Sequence, residues 1–262
     1  MNANIEHNDL IDALIDLVKE SGKSILEIYN SNDMGISYKD DKSPLTLADK
    51  ASNKIICSKL KELTPDIPIL SEEGKNIPYE ERKKWTTFWL IDPIDGTKEF
   101  INKNGEFSVN IALINHYQPI LGIVYAPVLN TIWYGSASHG SFKIENNRTP
   151  KKINVSKYND NEIIKVVSSR SHSNNLKLEK FLIDYPKHEL VFMGSSIKIC
   201  LVADGTAHMY PRLGPTMEWD TGAAHAVVKF SGGKITDFED GNELSYNKEN
   251  LLNPSFLVKE SS

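Results

Sequence analysis

A pair of aspartates in the segment DPIDGT, residues 92–97, is the first feature of this sequence that could do chemistry. The apolar run before it, residues 88–91, predicts a buried strand whose regular pairing should stop at Pro93 and Gly96. Asp92 and Asp95 would then lie at the carboxyl end of a strand, where α/β sheets commonly bind ligands. Close carboxylates repel unless a cation lies between them, and hard divalent cations take oxygen ligands. The segment therefore indicates a Mg²⁺ site, while an ordinary solvated turn is the alternative.

Further carboxylates could join this site. Glu72 and Glu73 directly follow a predicted strand at residues 67–70, although glutamates after a strand are often solvated loop charges. Asp220 begins a predicted helix at residues 221–230, where it could be a helix N-cap or a carboxylate supplied by the second half of the chain. Asp49 stands three residues after Thr46, a spacing that favours a capping box.

The second half of the chain carries groups that could bind phosphate. The segment SSRSH at residues 168–172 follows a predicted strand, and GSS at residues 194–196 precedes a predicted helix whose first N–H groups could bind an anion. Lys198 and Arg212 could add charge-assisted hydrogen bonds. A helix cap at Ser195 or Ser196 and a surface position for Arg212 are the alternatives. Two such turns and two cations in one half of the chain together favour an anion site.

The hydrophobic pattern predicts the elements that carry these residues. Apolar residues at helical spacing predict a helix over residues 11–18 and a second helix, entered from residues 43–49, that carries Ile55, Ile56, Leu60 and Leu63. Strands are predicted at residues 67–70, 88–91, 108–114, 120–125 and 131–134. Consecutive strands without helices favour antiparallel pairing, so the first half is predicted to be an α+β layer of two helices on a sheet. Strands and helices alternate after the polar segment 145–152, which predicts domains at residues 1–150 and 151–262.

The composition limits the functional classes. The chain has 262 residues and a net charge of −5, which gives no general attraction for nucleic acid or anionic membranes. No apolar run approaches the length of a membrane span, and the N-terminus lacks the pattern of a signal peptide. Cys57 and Cys200 lie among apolar residues and are expected to be reduced core thiols. A cytoplasmic protein is predicted, with a peripheral position on the cytoplasmic face of the inner membrane as the alternative.

Several of these segments resemble one known family. DPIDGT at residues 92–97, Glu72-Glu73 upstream and WDTGAA at residues 219–224 are similar to the inositol monophosphatase superfamily of magnesium-dependent, lithium-sensitive phosphatases. The resemblance covers nearly the whole chain and implies a five-layered αβαβα sandwich with the site between two α/β domains. The segments SPLTLAD (43–49), TKEF (97–100), SRSH (169–172), GSSIK (194–198) and YPRLGPT (210–216) further resemble the CysQ-type 3'(2'),5'-bisphosphate nucleotidases of that superfamily.

The resemblance also implies roles for individual residues. The implied ligands of two Mg²⁺ ions, with a third and looser ion as an option, are Glu72, Asp92, the Ile94 carbonyl, Asp95 and Asp220. Thr97, oriented by Asp49, is expected to accept a proton from the attacking water, while N–H groups of Gly96 and Thr97 hold the scissile phosphate. The expected substrate-binding residues beside these are Ser169, His172, Gly194, Ser195, Lys198 and Arg212, the last for a second phosphate.

The implied reaction is hydrolysis of the 3'-phosphate of adenosine 3',5'-bisphosphate to AMP and phosphate, without a covalent phospho-enzyme. The sulfated analogue of this nucleotide is an expected further substrate, in sulfur assimilation. An inositol-phosphate or broad sugar-phosphate phosphatase is the nearest alternative, against which Lys198 and the segment around Arg212 argue; a catalytically silent nucleotide or metal sensor is another. The expected partner is a small nucleotide, with monomer and homodimer both left open.

Overall fold

The first half of the chain forms a seven-stranded sheet with two long helices on one face. The computed structural model describes residues 7–39, 44–159, 162–170 and 176–261. The helices are α1 (His7–Tyr29) and α2 (Leu47–Leu63), and the short strands β1 (Ser37–Tyr38) and β2 (Pro44–Leu45) pair between them in the chain. The strands, in their order across the sheet, are β3 (Ile69–Ser71), β4 (Thr87–Asp95), β5 (Ser108–Asn115), β6 (Gln118–Ala126), β7 (Thr131–Ser136), β8 (Gly140–Glu145) and β9 (Lys151–Ile153).

Within this sheet β3 and β4 are parallel, and all later neighbours are antiparallel. Two short helices, α3 (Tyr79–Arg82) and α4 (Thr97–Ile101), precede and follow β4. Strands β8 and β9 continue this sheet into the polar segment 145–152, which was predicted as a candidate boundary. Their exposed lysines at 151 and 152 belong to an edge strand, and a polar edge strand has the composition of a loop. The division at residue 150 stays a prediction.

The second half adds small sheets and three further helices. In chain order its elements are β10 (Ile164–Ser168), α5 (Leu176–Leu182), β11 (His188–Phe192), α6 (Ile197–Ala203), β12 (Tyr210–Arg212), β13 (Thr216–Met217), α7 (Glu218–Phe230), β14 (Gly233–Asp237), β15 (Leu252–Asn253) and β16 (Phe256–Glu260). Strands β10 and β11 are parallel, β12, β16 and β14 form an antiparallel sheet, and β13 pairs with β15. A bridge between Val166 and Met209 connects β10 to the start of β12.

The seven-stranded sheet is buried on both faces because consecutive residues of its strands are apolar. Trp89 and Ile91 of β4 pack in a core with α1 and α2, whereas Phe88 and Leu90 point to the opposite core with α6 and α7. Helix α7 lies very close to the sheet, where a side chain at Gly122 would clash with the backbone of α7. The sheet is therefore an inner layer rather than a surface.

The remaining elements complete the layers. Tyr210, Phe256 and Ile235 of the second sheet share the core with α6 and α7, and Phe181 of α5 packs against the outer residues Ile164 and Met209. The layers are, in order, α1 with α2, the seven-stranded sheet, α6 with α7, the sheet of β12, β16 and β14, and α5. This order confirms the predicted five-layered αβαβα sandwich. In the described part of the chain, no helix combines the length and apolar character that a membrane span requires.

Candidate active site

An irregularity in β4 brings the two aspartates of the central motif together. Strand β4 does not end before Pro93, as predicted, but runs on to Asp95. Asp92 lies opposite Asn110 and Asp95 lies opposite Ser108, so β4 has one more residue in this interval than β5. Residues three apart in a regular strand point to opposite faces, and one extra residue turns both carboxylates to the same side. The bulge is thus the local cause of the acidic pair.

The two long helices hold this bulge in place. The Ser52 hydroxyl of α2 donates to the Pro93 carbonyl at 2.9 Å, and the hydroxyls of Ser52 and Ser21 lie 2.8 Å apart. Inside the bulge, the Ile94 N–H donates to Asp92 Oδ1 at 3.0 Å. All the side chains that make these bonds are buried, so the position of the aspartates is determined by the packing of α1 and α2.

A third carboxylate arrives from the second half of the chain. One oxygen each of Asp92, Asp95 and Asp220 lies within 4.8 Å of the others, close enough for one metal ion to contact all three. The N-cap alternative for Asp220 is wrong, because α7 begins earlier and Met217 is its N-cap. Asp220 lies in the first turn and accepts a hydrogen bond from the Met217 N–H at 2.8 Å. This bond fixes the direction in which its carboxylate points.

The electrostatics of the three aspartates favour a cation. Burial, followed by the charges of Glu72 and the other two aspartates, raises the pKa of Asp92 well above its ordinary value. Burial and the charge of Asp95 do the same to the pKa of Asp220. Burial raises the pKa of Asp95 to about 6, although Lys198 opposes the shift. One buried and two half-buried carboxylates that destabilise one another's charge form an all-oxygen donor set suited to a hard divalent ion.

Glu72 lies beside this cluster and is not a freely solvated loop charge. Lys39 lies 2.8 Å from one Glu72 oxygen and 2.5 Å from one Glu73 oxygen. The side-chain amide of Asn53 on α2 donates to the Glu73 carbonyl at 3.3 Å and anchors the turn. The charge of Glu72 is also one of the causes that raise the pKa of Asp92, which places the two carboxylates near each other. Glu72 is therefore positioned to share a cation with Asp92.

Asp49 has two roles at once, which the sequence presented as alternatives. The capping box is confirmed: Asp49 Oδ2 accepts from the Thr46 N–H at 2.7 Å, and the Asp49 N–H donates to the Thr46 hydroxyl at 3.4 Å. The other carboxylate oxygen, Oδ1, lies 3.5 Å from the Thr97 hydroxyl. Thr97 is also 3.4 Å from the Ile94 carbonyl, so its hydroxyl stands beside the acidic bulge. Helix α4, which begins at Thr97, has only five residues.

A cleft of about 210 Å³ adjoins the carboxylates and contains cations from the second half. Lys198 is buried in its wall, and burial lowers the pKa of this lysine to about 8. Arg212 donates from Nη2 to the Pro215 carbonyl at 2.9 Å, while its buried Nε has no hydrogen-bond acceptor among the described residues. The lining residues are Asp95, Gly96, Lys98, Glu99, Ser169, Ser195, Ser196, Lys198, Ile199, Tyr210, Arg212, Thr216, Asp220, Thr221 and Phe256.

The segment GSS joins the cleft to the carboxylate cluster. The Ser196 N–H donates to Asp95 Oδ2, and the Ser196 hydroxyl donates to Asn110 Oδ1 at 2.8 Å. Ser196 is the N-cap residue of α6 but makes no capping hydrogen bond with its side chain, and the Ser195 hydroxyl accepts weakly from the Ile197 N–H at 3.4 Å. Gly194 has no room for a side chain, since a Cβ there would lie 2.5 Å from a backbone oxygen. Close packing thus explains the glycine.

Most of the predicted site residues meet here, and a few residues were missed. His172 lies outside the described residues. The cleft also contains Lys98, Glu99 and Tyr210, to which the sequence analysis gave no role. Lys98 and Glu99 follow Thr97 directly, so their position in the chain was the available signal. Asn110 was the harder case, because a polar residue inside a largely apolar strand was its only mark in the sequence.

The fold and the site together define a class: a five-layered α/β sandwich with a carboxylate cluster beside a cleft that contains cations. The sequence matches the profile of the inositol monophosphatase family over residues 6–261. The chain therefore belongs to the inositol monophosphatase family, which confirms the resemblance. Within this family it is similar to proteins named 3'(2'),5'-bisphosphate nucleotidase CysQ.

The similarity to those proteins extends over their full length. The chain is 45% identical to the CysQ nucleotidase of Escherichia coli O6:H1 over 251 residues, which cover 95% of this chain and 99% of the relative. It is 43% identical to the Buchnera aphidicola protein of the same name, with coverages of 95% and 93%. The crystal structure of CysQ from Bacteroides thetaiotaomicron, described as a bacterial member of the inositol monophosphatase family, superimposes with a TM-score of 0.85 at 38% identity, covering 98% of this chain and 99% of that one.

Proposed function

We propose that this chain is a metal-dependent 3'(2'),5'-bisphosphate nucleotidase, a phosphoric monoester hydrolase that converts adenosine 3',5'-bisphosphate to AMP and phosphate. The observation that carries the proposal is the contact between two chemically different regions: a cluster of three carboxylates within 4.8 Å and a cleft that contains Lys198 and Arg212. The names of relatives that are 43–45% identical support the same substrate. The role would be to recycle this nucleotide in sulfur assimilation, with its sulfated analogue as a further substrate.

The acidic region would hold the metal. We assign Mg²⁺ as the ion, with two per site and a third as an option, because all the available donors are oxygens. When bound, the ions supply positive charge to the phosphoryl oxygens and make water a better nucleophile. The proposed donors are Glu72, Asp92, the Ile94 carbonyl, Asp95 and Asp220.

Thr97 and Asp49 would handle the proton of the attacking water. The water oxygen forms a bond to phosphorus as the bond from phosphorus to the 3'-oxygen breaks, and the leaving 3'-oxygen takes a proton from solvent. Thr97 lies 3.5 Å from Asp49, which suits a hydroxyl that is oriented by the carboxylate and accepts the water proton as it passes its own proton to Asp49. Burial raises the pKa of Asp49, so this carboxylate is a stronger base than an exposed aspartate. The N–H groups of Gly96 and Thr97 would bind the scissile phosphate.

The cations of the cleft would select a bisphosphate. Lys198 and Arg212 provide positive charge in the wall of the cleft, and the buried Nε of Arg212 would gain an acceptor from a second phosphate. Ser169, Gly194 and Ser195 would bind the rest of the nucleotide, and His172 keeps its proposed part in this group. A simple phosphate ester lacks a second phosphate and a nucleoside, so it has no group that would contact these residues.

Substitution of Lys198 tests the substrate assignment. We expect Lys198→Ala to raise KM for adenosine 3',5'-bisphosphate by about tenfold or more, because one charge-assisted bond is lost, and to leave KM for p-nitrophenyl phosphate nearly unchanged. Wild-type protein should release phosphate from the nucleotide in preference to inositol 1-phosphate, in a reaction that requires Mg²⁺ and is inhibited by Li⁺. An equal effect of the substitution on both esters, or a preference for inositol 1-phosphate, would refute the nucleotide assignment.

A further inference from the structure

An ion pair at the rim of the cleft connects the two halves of the chain. Glu106 lies in the loop between α4 and β5, and Arg170 lies two residues after the end of β10. The guanidinium and the carboxylate form two parallel bonds, Nη2 to Oε1 at 2.6 Å and a second from Nη1 to Oε2. The Arg170 side chain is 57% exposed and that of Glu106 only 13% exposed. A two-bond contact of this type fixes orientation as well as distance.

Glu106 also contacts the other segment that the second half contributes to the cleft. The backbone oxygen and Cβ of Glu106 pack against Gly194, where an added Cβ would lie 2.5 Å and 2.9 Å from them. The Glu106 N–H donates to the side chain of Asn104 at 2.9 Å, and Gly105 has a φ of +78°. Glu106 therefore sits in a tight turn that offers its backbone to Gly194 and its carboxylate to Arg170.

Both contacted segments leave the same edge of one small sheet. Strands β10 and β11 are parallel, with Ser168 opposite Phe192, and the Met193 N–H donates to the Ser168 carbonyl at 3.1 Å. Residues 169–170 and 194–196 thus start side by side, and Ser169 and Ser195 from them line the cleft. Glu106 contacts both segments, through its carboxylate at Arg170 and its backbone at Gly194.

We propose that Glu106 and Arg170 form a clasp that sets the position of segments 168–170 and 194–196, and so determines affinity for the nucleotide. Both are positioning residues, because they act through Ser169 and the GSS segment rather than on the reacting atoms. The ligand in this inference rests on the proposed function; the clasp itself does not. An ion pair with one exposed partner contributes little to folding stability, so it can be removed without unfolding the protein.

The two neutral substitutions distinguish the clasp from simpler explanations. Glu106→Gln removes a negative charge near an anionic ligand and Arg170→Gln removes a positive one, so long-range electrostatics predicts opposite shifts in KM. A direct contact between Arg170 and the nucleotide predicts a large effect from Arg170→Gln alone. A clasp predicts that both substitutions raise KM, since each breaks the same pair.

The experiment measures kcat and KM for adenosine 3',5'-bisphosphate and for p-nitrophenyl phosphate in both variants. We expect KM for the nucleotide to rise about three- to tenfold in each, with kcat and the simple ester changed less than about twofold. The charge-swapped double variant E106R/R170E should recover most of the affinity. Glu80→Gln is the matched control, because it breaks a surface ion pair, Glu80 with Lys83, that does not involve segments 168–170 and 194–196. Opposite shifts in KM, or an effect of Arg170→Gln alone, would overturn the clasp.

Amide hydrogen exchange of the ligand-free protein tests the clasp without reference to any substrate. The peptide that covers residues 164–170 should exchange faster in both variants than in wild type and in the control, because loss of the pair raises local opening. If wild type fails to hydrolyse the nucleotide, the proposed function is wrong and exchange alone decides on the clasp. If wild type is active but exchange is unchanged in both variants, the clasp is wrong and the function stands.

Discussion

The carboxylate cluster and the cation-containing cleft share one site but are built in opposite ways. Asp92 and Asp95 lie on a central strand of a sheet buried on both faces, and Ser52 holds their bulge through buried bonds. Lys198 and Arg212 lie on a seven-residue helix and a three-residue strand, joined to the rest of the site by short turns. The first region has a rigid frame made by the core, whereas the second is adjusted by local contacts at its edge.

This difference suggests a division of labour. Hydrolysis of a phosphate ester requires that the carboxylate donors be held at fixed positions. Substrate selection requires only that the cleft wall complement the part of the substrate beyond the scissile phosphate. Changes in the carboxylate region should therefore abolish the reaction for every ester. Changes in the cleft wall should alter KM for the nucleotide and leave the reaction itself intact.

The largest effect is expected from Asp92→Asn. Loss of one charged donor should lower kcat at least about 10³-fold for nucleotide and simple ester alike, because the buried charge acts where water is excluded. Mg²⁺ binding, measured by titration calorimetry, should weaken in parallel. Asp66→Asn, on the exposed surface, is the matched control and should leave both quantities unchanged. Activity within tenfold of wild type would show that the cluster is not the metal site.

The same region predicts how stability depends on pH in the absence of metal. Because the folded-state pKa of Asp95 is raised from 3.8 to about 6, the folded state binds this proton more tightly than the unfolded chain. Its contribution to stability is present below pH 3.8 and is lost as the pH rises toward 6. In EDTA, the thermal midpoint of wild type should therefore fall across this interval relative to Asp95→Asn, and Mg²⁺ should restore wild type above it. Identical pH profiles of the two proteins in EDTA would contradict this account.

A smaller loss is expected at the proton acceptor. Thr97→Ala should lower kcat by about 10²- to 10³-fold with little change in metal affinity, since a proton-transfer group is removed and no metal donor is lost. Thr97→Ser keeps the hydroxyl and should retain most of the activity. The pair separates a chemical role from a packing role, because Ala and Ser differ little in size. Equal losses in both variants would assign Thr97 to packing alone.

The cleft wall should respond to pH through Lys198. Burial lowers its pKa to about 8, so the ammonium group is charged below that pH and neutral above it. KM for adenosine 3',5'-bisphosphate should rise by up to about tenfold between pH 7 and pH 9, while KM for p-nitrophenyl phosphate should not. Lys198→Arg stays charged and should remove this rise. A rise of the same size in the Arg variant would assign the titration to another group.

The sequence predicted the parts of the site that short segments determine. Helical spacing located α1 and α2, the Thr46–Asp49 spacing located a capping box, and the carboxylates of DPIDGT were assigned to the correct end of β4. These features depend on residues a few positions apart, whose geometry is largely local. The five layers followed from the family resemblance rather than from the pattern itself.

The remaining features depend on register and on contacts far apart in the chain. The bulge lies between the pairs Asp92–Asn110 and Asp95–Ser108 of two strands, and no property of β4 alone indicates it. The meeting of Asp220 with Asp92, and the shared use of Asp49 by a helix cap and by Thr97, arise only when separate elements pack. The edge strand β9 fell in the segment that was interpreted as polar and turn-rich, because an exposed edge needs no apolar side chains.

The smallest expected effect tests whether the two regions are as separate as their construction suggests. A Cβ at Gly194 would lie 2.5 Å from the Glu106 carbonyl, so Gly194→Ala should displace the wall of the cleft. We expect KM for the nucleotide to rise about three- to fivefold, with Mg²⁺ affinity unchanged in calorimetry. Gly214→Ala is the matched control, since no atom lies within 4 Å of a Cβ there.

Coupling between the regions has a direct route in the hydrogen bond from the Ser196 N–H to Asp95. If Gly194→Ala weakens Mg²⁺ binding as much as nucleotide binding, the displacement has passed through that bond. The cleft wall would then take part in holding the metal, and affinity for the nucleotide and for Mg²⁺ would have to be thermodynamically linked. If only KM changes, Ser196 moves with the cleft wall while Asp95 keeps its position in the bulge. The buried core that holds the bulge is then more rigid than the cleft wall.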